Sequence, residues 1–292
     1  MKPSVASFLT ALLLGLCAVG CGDNISEPSS ETPLNPPRYL LALSVDASTV
    51  RLKWSPPAGS DSLLKDYVIV WGNRQDSVQK NLPTGYTVSG LPSGVTLFTI
   101  YARGIKGQKS DPASISWAPA DRYDSAFVLF EYDISNLNRA SGMMAGSRSS
   151  NPKAVIMDPN LPQSPDFYLT GPAGQPLELR SASLYLSAFK ITLFSSVVDA
   201  SPSLDNFLAS FPADYAVGRI QVQDGKIYYA RVSGDQGEGN YIRVHIHYLS
   251  GVFPNRSVEV RLSLQRVGGL LYASTAPNGH RLPLCALTNF SF

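Results

Sequence analysis

Two histidines at alternating positions of a predicted strand have the spacing that most directly suggests chemistry. Residues 241–249 alternate apolar and polar side chains, and one face of this strand carries Arg243, His245 and His247. Histidines two residues apart in a strand lie about 7 Å apart on the same side, so a transition metal could bridge His245 and His247. Glu259 on the next predicted strand could supply a third ligand. The other interpretation is a solvated strand face that holds no metal.

The neighbouring predicted strand continues the polar pattern. Residues 257–266 alternate as well, and the loop 250–256 could join the two strands as antiparallel neighbours. The pair predicts an outward polar face on a rigid sheet. We expect a ligand to contact this face at Arg243, His245, His247, Glu259 and Arg261.

The sequence lacks the motifs of the common catalytic classes. It contains no G-x-S-x-G elbow, no H-E-x-x-H pair, no C-x-x-C pair and no phosphate-binding loop. We therefore predict that the protein is not an enzyme. The alternative is an envelope glycoside hydrolase or another carbohydrate-processing enzyme, because two catalytic carboxylates can lie far apart in a sequence.

No cofactor is expected from these patterns, although two ions remain as alternatives. The glycine-rich loop 234–240 offers oxygen-bearing side chains that could hold Ca²⁺, but it does not match the EF-hand pattern, and a plain turn is the other interpretation. The pair His245 and His247 is the candidate for a transition metal.

Composition excludes several classes of protein. The 292 residues include 24 Lys and Arg against 22 Asp and Glu, a formal net charge of +2, so nucleic acid is not an expected partner. Hydrophobic residues make up 44% of the chain, which excludes a disordered protein. Three cysteines are too few for a disulfide scaffold.

The strand pattern of residues 119–292 indicates a second, larger all-β domain, for which we predict a jelly-roll-like β-sandwich. Asp224-Gly225 predicts a two-residue hairpin turn, residues 204–211 a short helix, and residues 141–151 a loop, although Met143-Met144 could equally pack under the sandwich. The nine predicted strands are 127–134, 154–157, 166–170, 177–180, 188–198, 215–223, 226–232, 241–249 and 257–266.

Residues 38–118 contain short alternating strands separated by proline and glycine, the pattern of an all-β sandwich. This segment resembles the fibronectin type III family. The resemblance implies a spacer or a contact module, and fold alone implies no chemistry. It is carried by Trp54 before Pro56-Pro57, Tyr67 in YVIVW, Leu91 with Pro92 and Gly94, and Ser110-Asp111-Pro112 before a last strand through Ile115 and Trp117.

The first residues of the chain have the pattern of a targeting signal. Residues 1–20 combine a cation, an apolar run and small residues, which is typical of a signal peptide and too short for a transmembrane span. Ala18-Val19-Gly20-Cys21 resembles a bacterial lipobox, which implies acylation of Cys21, with palmitate among the acyl groups. An ordinary secretory peptide is the alternative. Residues 21–37, rich in proline and serine, predict a flexible tether after the lipidated cysteine.

The stretch from Tyr215 to 249 is similar to the closing strands of heme-scavenging lipoproteins of the HmuY type. That resemblance implies a metal- or heme-binding lipoprotein. Heme needs axial ligands on opposite sides of the porphyrin, whereas His245 and His247 point the same way, so His280 would have to supply one of them.

These observations predict an all-β, lipid-anchored protein of the bacterial cell envelope, placed in the outer membrane. A fibronectin type III spacer would present a non-catalytic β-sandwich to a glycan or an envelope protein. Its membrane contact would be the lipid on Cys21.

Overall fold

The computed structural model describes residues 34–59, 62–81, 85–135, 137–145, 151–199, 203–205, 214–233 and 239–268. They belong to one compact unit, Leu34–Phe292. The signal peptide, Cys21, His280 and Cys285 lie outside the described residues. Within the described ranges, no helix has the length and hydropathy needed to cross a bilayer.

The first part of the unit is a sandwich of two antiparallel sheets. One sheet has the order β1-β2-β5 and the other the order β4-β3-β6-β7. Its strands are β1 (Arg38–Asp46), β2 (Thr49–Ser55), β3 (Leu64–Trp71), β4 (Arg74–Gln79), β5 (Tyr86–Val88), β6 (Thr96–Gly104) and β7 (Ala113–Trp117).

Alternation along these strands directs one set of side chains between the two sheets. Phe98, Ile100 and Ala102 of β6 are buried in succession, as the sequence predicts. Tyr67 is buried in the same cluster, and Trp54 packs edge-on against its ring with 5.2 Å between the ring centroids. Of the residues that carry the family resemblance, Tyr67, Leu91 and Trp117 are buried in this cluster, and Trp54 and Ile115 pack against it.

The second part is a larger sandwich of two five-stranded antiparallel sheets, so the predicted all-β fold class is confirmed. The sheet orders are β10-β9-β11-β12-β14 and β13-β15-β16-β17-β8. The strands are β8 (Asp121–Phe130), β9 (Ala140–Met144), β10 (Lys153–Ile156), β11 (Phe167–Thr170), β12 (Glu178–Ser181), β13 (Thr192–Asp199), β14 (Arg219–Gln221), β15 (Ile227–Val232), β16 (Asn240–Ser250) and β17 (Ser257–Leu264). A single turn of 3-10 helix, Ala182–Leu184, follows β12.

Two local predictions in this sandwich are wrong. The predicted loop 141–151 begins as a strand, because β9 runs through Met144 and Met143 is buried in the core. The Asp224-Gly225 turn does not form a hairpin, since β14 and β15 belong to different sheets. Gly225 has a positive φ and Asp224 does not, so the turn is not type I′. Most of the predicted helix 204–211 lies outside the described residues.

A buried hydrogen-bond chain joins the two sandwiches at the connecting residues 118–120. The indole N–H of Trp117 donates to Ser44 Oγ at 2.8 Å, and that hydroxyl donates to the Ala118 carbonyl at 2.8 Å. The amide of Gln265, from the second sandwich, donates to the same carbonyl at 3.3 Å. The connection is thus fixed to both sandwiches by satisfied buried polar groups.

Apolar packing also continues across the junction. Leu204, Ile227 and Tyr229 of the second sandwich belong to the same buried cluster as the core of the first. Beside them, Arg51 on β2 donates a hydrogen bond to the backbone carbonyl of Asp205, whose carboxylate pairs with Arg122 on β8. The outer surface of β15 and β16 is therefore covered where the two sandwiches meet.

Candidate functional site

The predicted ligand face does not lie at the surface as a whole. Arg243 is only 1% exposed and His245 only 4% exposed. The Arg243 guanidinium donates to the backbone carbonyl of Leu204 at 2.8 Å and lies over the ring of Tyr229. Alternation correctly separates these side chains from the core of their own sandwich, but the junction covers them. The prediction that both residues face solvent is wrong.

A β-bulge divides the face at its far end. Ile246 pairs with Val260 while Tyr248 pairs with Glu259, so one extra residue, His247, is inserted on β16. The bulge turns Tyr248 outward, where it is 54% exposed. Tyr248 therefore does not share the inner face of Ile246, as simple alternation along the strand would have it.

The remaining predicted residues form a small polar group beside the junction. The Nδ1 atom of His247 lies 3.2 Å from Glu259 Oε2 at the surface, and Arg261 pairs in register with His245. Burial lowers the pKa of His245 below its usual value, and the charges of His247, Arg261 and Arg243 lower it further. His245 is therefore held neutral near pH 7.

Within the described residues, no group of three or more His, Cys, Asp and Glu side chains is arranged to hold a metal ion. The two rings of His245 and His247 are 5.9 Å apart and nearly perpendicular. Of the predicted calcium loop, residues 234–238 lie outside the described ranges, and Gly239 and Asn240 are buried at the start of β16.

A second face, which the sequence patterns do not reveal, carries four aromatic rings. It lies on the outer side of β11, where Tyr168 points away from the core residues Phe167 and Leu169. We call it the aromatic face and define it by Tyr132, Tyr168, Tyr185 and Phe189.

The four rings contact one another closely. The centroid of the Tyr185 ring lies 5.3 Å from that of Tyr132 and 6.1 Å from that of Tyr168. Phe189 stacks on Tyr185 with only 19° between the ring planes. Tyr168 is buried beneath its neighbours, whereas Tyr132, Tyr185 and Phe189 are half-buried. The face is thus apolar, rigid and open to solvent at its outer rings.

Polar groups border these rings. The hydroxyls of Tyr132 and Tyr185 are 3.3 Å apart, and burial raises the pKa of Tyr132, so its hydroxyl stays neutral. Arg180 pairs with Tyr168 across the β11–β12 ladder, and its Nε donates to Glu178 at 2.8 Å. Burial alone would lower the pKa of Arg180, but the hydrogen bond to Glu178 raises it overall. The border is therefore a neutral ion pair with free hydrogen-bonding edges.

A buried ion pair positions Tyr132. Glu131 is 4% exposed and accepts two hydrogen bonds from Arg256, at 2.8 Å from Nε and 2.5 Å from Nη2. Arg256 also donates to the backbone carbonyls of Gly171 and Gln175. A Cβ on Gly171 would lie 2.9 Å from the Arg256 guanidinium, so only glycine leaves room for this contact. The guanidinium thereby ties the end of β8 to the β11–β12 loop.

Sequence reasoning missed the aromatic face because its members are far apart in the chain. Tyr168 carries the one local signal, since it interrupts the apolar alternation of β11 with an outward aromatic ring. Tyr132 follows β8, and Tyr185 and Phe189 follow the 3-10 turn. Only the pairing of β11 with β12 and the Arg256 contacts bring the four rings together.

Comparison with known proteins identifies the first sandwich. The fibronectin type III domain profile matches residues 35–116, so the chain contains a fibronectin type III domain, as the resemblance implies. The matched segment agrees closely with the predicted one, 38–118. None of the curated proteins compared with this chain is detectably similar to it.

Several solved structures are similar to parts of the chain. The FN5 domain of Drosophila Lar shares 20% identity with a TM-score of 0.25 and covers 30% of this chain and 96% of its own. The central fibronectin-III array of RIM-binding protein shares 13% identity with a TM-score of 0.27, covering 76% and 75%. The FN1-FN3 domains of chicken CNTN1 share 11% identity with a TM-score of 0.24, covering 83% and 88%. At these scores the likenesses carry no conclusion about the second sandwich.

Stability should fall with acidification through His245. Its pKa is lowered in the folded state, so below about pH 6.5 the unfolded chain takes up a proton that the folded chain does not. Above that pH, His245 makes its full contribution to the free energy of unfolding. This contribution is lost as the pH falls, by at most about 1.4 kcal/mol per pH unit. Denaturant titrations between pH 7.5 and 5.5 should show a shallower loss in His245→Gln than in the native chain. Tyr248→Phe, at an exposed position of the same strand, is the matched control, and equal slopes for the native chain and His245→Gln would contradict the expectation.

Removing Arg256 should destabilise the second sandwich strongly. Arg256→Ala leaves the Glu131 carboxylate buried without its partner, and we expect a loss of about 3–5 kcal/mol in the free energy of unfolding. Arg256→Lys should recover only part of it, since an ammonium cannot make the two parallel bonds. Urea unfolding measures the free energy of unfolding of both variants, with Arg219→Ala on exposed β14 as control. The assignment fails if Glu131→Gln combined with Arg256→Ala is no more stable than Arg256→Ala alone.

Proposed function

We propose that the chain is a lipid-anchored protein of the bacterial outer membrane whose two sandwiches together present a binding face and carry out no catalysis. The anchor is supported by the signal-peptide pattern of residues 1–20 and by the small residues before Cys21. The tether, predicted over residues 22–37, ends before the buried Leu34 and separates that cysteine from the fibronectin type III domain. Two or more acyl chains, at about 0.8 kcal/mol per buried CH₂, make such an anchor effectively permanent.

The observation that carries the binding function is the aromatic face. Aromatic rings that stay partly exposed beside hydroxyl groups are typical of recognition surfaces. Leu184, the residue before Tyr185, is 58% exposed. Their rings are already held by mutual contacts, so a ligand would find them pre-organised.

We propose no catalysis because the carboxylates near the aromatic face already have hydrogen-bonding or ion-pair partners. General acid or base chemistry on a glycosidic bond needs two carboxyl groups that can reach the substrate. Glu131 is buried against Arg256, and Glu178 is paired with Arg180. Both of these acids are paired with arginine, and Asp133, whose charge acts on Tyr132, accepts two hydrogen bonds from Ser135.

The fibronectin type III domain has a supporting role in this proposal. The hydrogen-bond chain through Ser44 and the shared apolar cluster resist bending between the sandwiches. The domain therefore acts as a rigid base for the second sandwich. The membrane is contacted through the lipid, and the partner at the aromatic face is a glycan or an envelope protein.

The anchor depends on one cysteine. In Cys21→Ala, we expect the full chain to lose incorporation of labelled palmitate and to leave the detergent phase in a Triton X-114 partition, because no acyl chain is attached. Cys17→Ala and Cys285→Ala are matched controls that should keep both properties. Detergent partition of Cys21→Ala equal to that of the native chain would rule out this anchor.

The binding face can be located in living cells. A photo-reactive benzoylphenylalanine in place of Leu184 should form a covalent adduct on illumination, because Leu184 is exposed and directly precedes Tyr185 in the chain. The same group in place of Tyr248, equally exposed on the opposite sheet, should form none. Adducts at position 248 alone, or at neither position, would argue against a binding role for the aromatic face. Gel mobility and mass spectrometry of the adduct report the result.

A further inference from the structure

We infer that the aromatic face binds a saccharide, with a sugar ring stacked on Tyr185 and Phe189 and hydrogen-bonded at the Glu178–Arg180 border. This inference rests on the proposed binding function and names its ligand class. It is carried by the arrangement of rings and polar groups on the outer side of β11 and β12, and by what that arrangement disfavours.

The outer rings provide a platform of suitable shape. Tyr185 and Phe189 lie with their planes 19° apart and their centroids 6.3 Å apart, so the two rings are nearly parallel and too far apart to overlap fully. A pyranose ring has apolar faces made of C–H groups, and such a face packs on an aromatic ring much as another apolar surface does. Tyr132 stands edge-on to Tyr185 at 67° and closes one side of the platform.

The polar groups beside the rings can form hydrogen bonds with the hydroxyl groups of a sugar. Sugar hydroxyls both donate and accept hydrogen bonds, so they need both kinds of partner beside the stacking surface. The hydroxyls of Tyr132 and Tyr185 can donate and accept, and both Arg180 and Glu178 are about one-quarter exposed. A guanidinium paired with a carboxylate presents planar donors and acceptors that two adjacent hydroxyls can bridge.

The charge of the face disfavours a lipid surface. Anionic headgroups are recognised by clusters of four or more cations, about 1 kcal/mol each. Here Arg180 is neutralised by Glu178, and Arg219, opposite Arg180 across the β12–β14 pair, is the next cation along the row. Asp133, whose charge acts on Tyr132, offsets Arg219. These four charges together suit a neutral sugar or a single uronate carboxylate.

The apolar area disfavours a large protein partner. A standard protein interface buries about 800 Å² on each side. Tyr168 is 5% exposed, and the other three rings cover one another, so little of their surface remains open. A small amphipathic ligand such as an oligosaccharide matches the open part.

The test is affinity electrophoresis of the purified full chain in gels that contain one polysaccharide each. The panel holds neutral polymers (mixed-linkage β-glucan, xylan, galactomannan) and uronates (polygalacturonate, alginate). We expect at least one polymer to retard the native chain. Phe189→Ala and Tyr185→Ala should each weaken that retardation at least tenfold, whereas Tyr185→Phe, which keeps the ring, should weaken it less than fivefold.

Two controls distinguish loss of the binding site from failure of a variant to fold. Tyr248→Ala removes an exposed tyrosine on the other sheet and should leave retardation unchanged, and thermal unfolding identifies any variant that fails to fold. If Tyr185→Ala does not fold, Phe189→Ala and Tyr185→Phe decide. Retardation equal in native chain and ring variants overturns the site, and no retardation by any polymer overturns the ligand class. A protein adduct at position 184 together with an unretarded chain would reject the saccharide while leaving the proposed binding function in place.

Discussion

The packing of the β15–β16 surface against the fibronectin type III domain is the constraint on which the rest of the structure depends. It places Tyr229, Arg243 and His245 in a buried junction, although their strand positions direct them away from the core of their own sandwich. Burying an arginine requires that its donors find acceptors, and the Leu204 carbonyl is one of them. Because the outer side of this sheet packs on the fibronectin type III domain, the proposed binding face lies on the other sheet of the second sandwich.

The opposite end of the second sandwich depends on a different interaction, the Glu131–Arg256 pair. Two charges taken out of water lose several kcal/mol of solvation each, and their attraction repays this only with good geometry and further hydrogen bonds. The parallel bonds to Glu131 and the bonds to Gly171 and Gln175 meet that condition. Such a pair adds little net stability compared with apolar residues, but it defines one arrangement of β8 and the β11–β12 loop. That arrangement fixes the backbone of Tyr132, whose N–H donates to the Leu169 carbonyl at 2.8 Å.

Much of the fold could be predicted from the alternation of side chains and from turn residues. Less of the candidate functional site could be predicted in this way. Period-two patterns identify the strands and correctly separate Ile242 and Val244 from Arg243 and His245, because side-chain direction is a local property. What covers a face is not local, so Arg243 and His245 were wrongly expected in solvent. β9 was missed since the sequence around Gly142 has few β-branched residues, and its position is decided by pairing with β10 and β11. The Asp224-Gly225 turn is real, but its flanking strands join different sheets, which no dipeptide encodes.

The aromatic face illustrates why a binding surface is harder to read than a core. Core positions repeat along one strand, whereas Tyr132, Tyr168 and Tyr185 come from three separate segments and meet only after the sandwich has formed. Their rings are half-buried against each other before any ligand arrives, so their side-chain entropy is already lost on folding. A saccharide that stacks on them would then lose mainly its own freedom. Because Tyr185 contacts each of the other three rings, its position holds the aromatic face together.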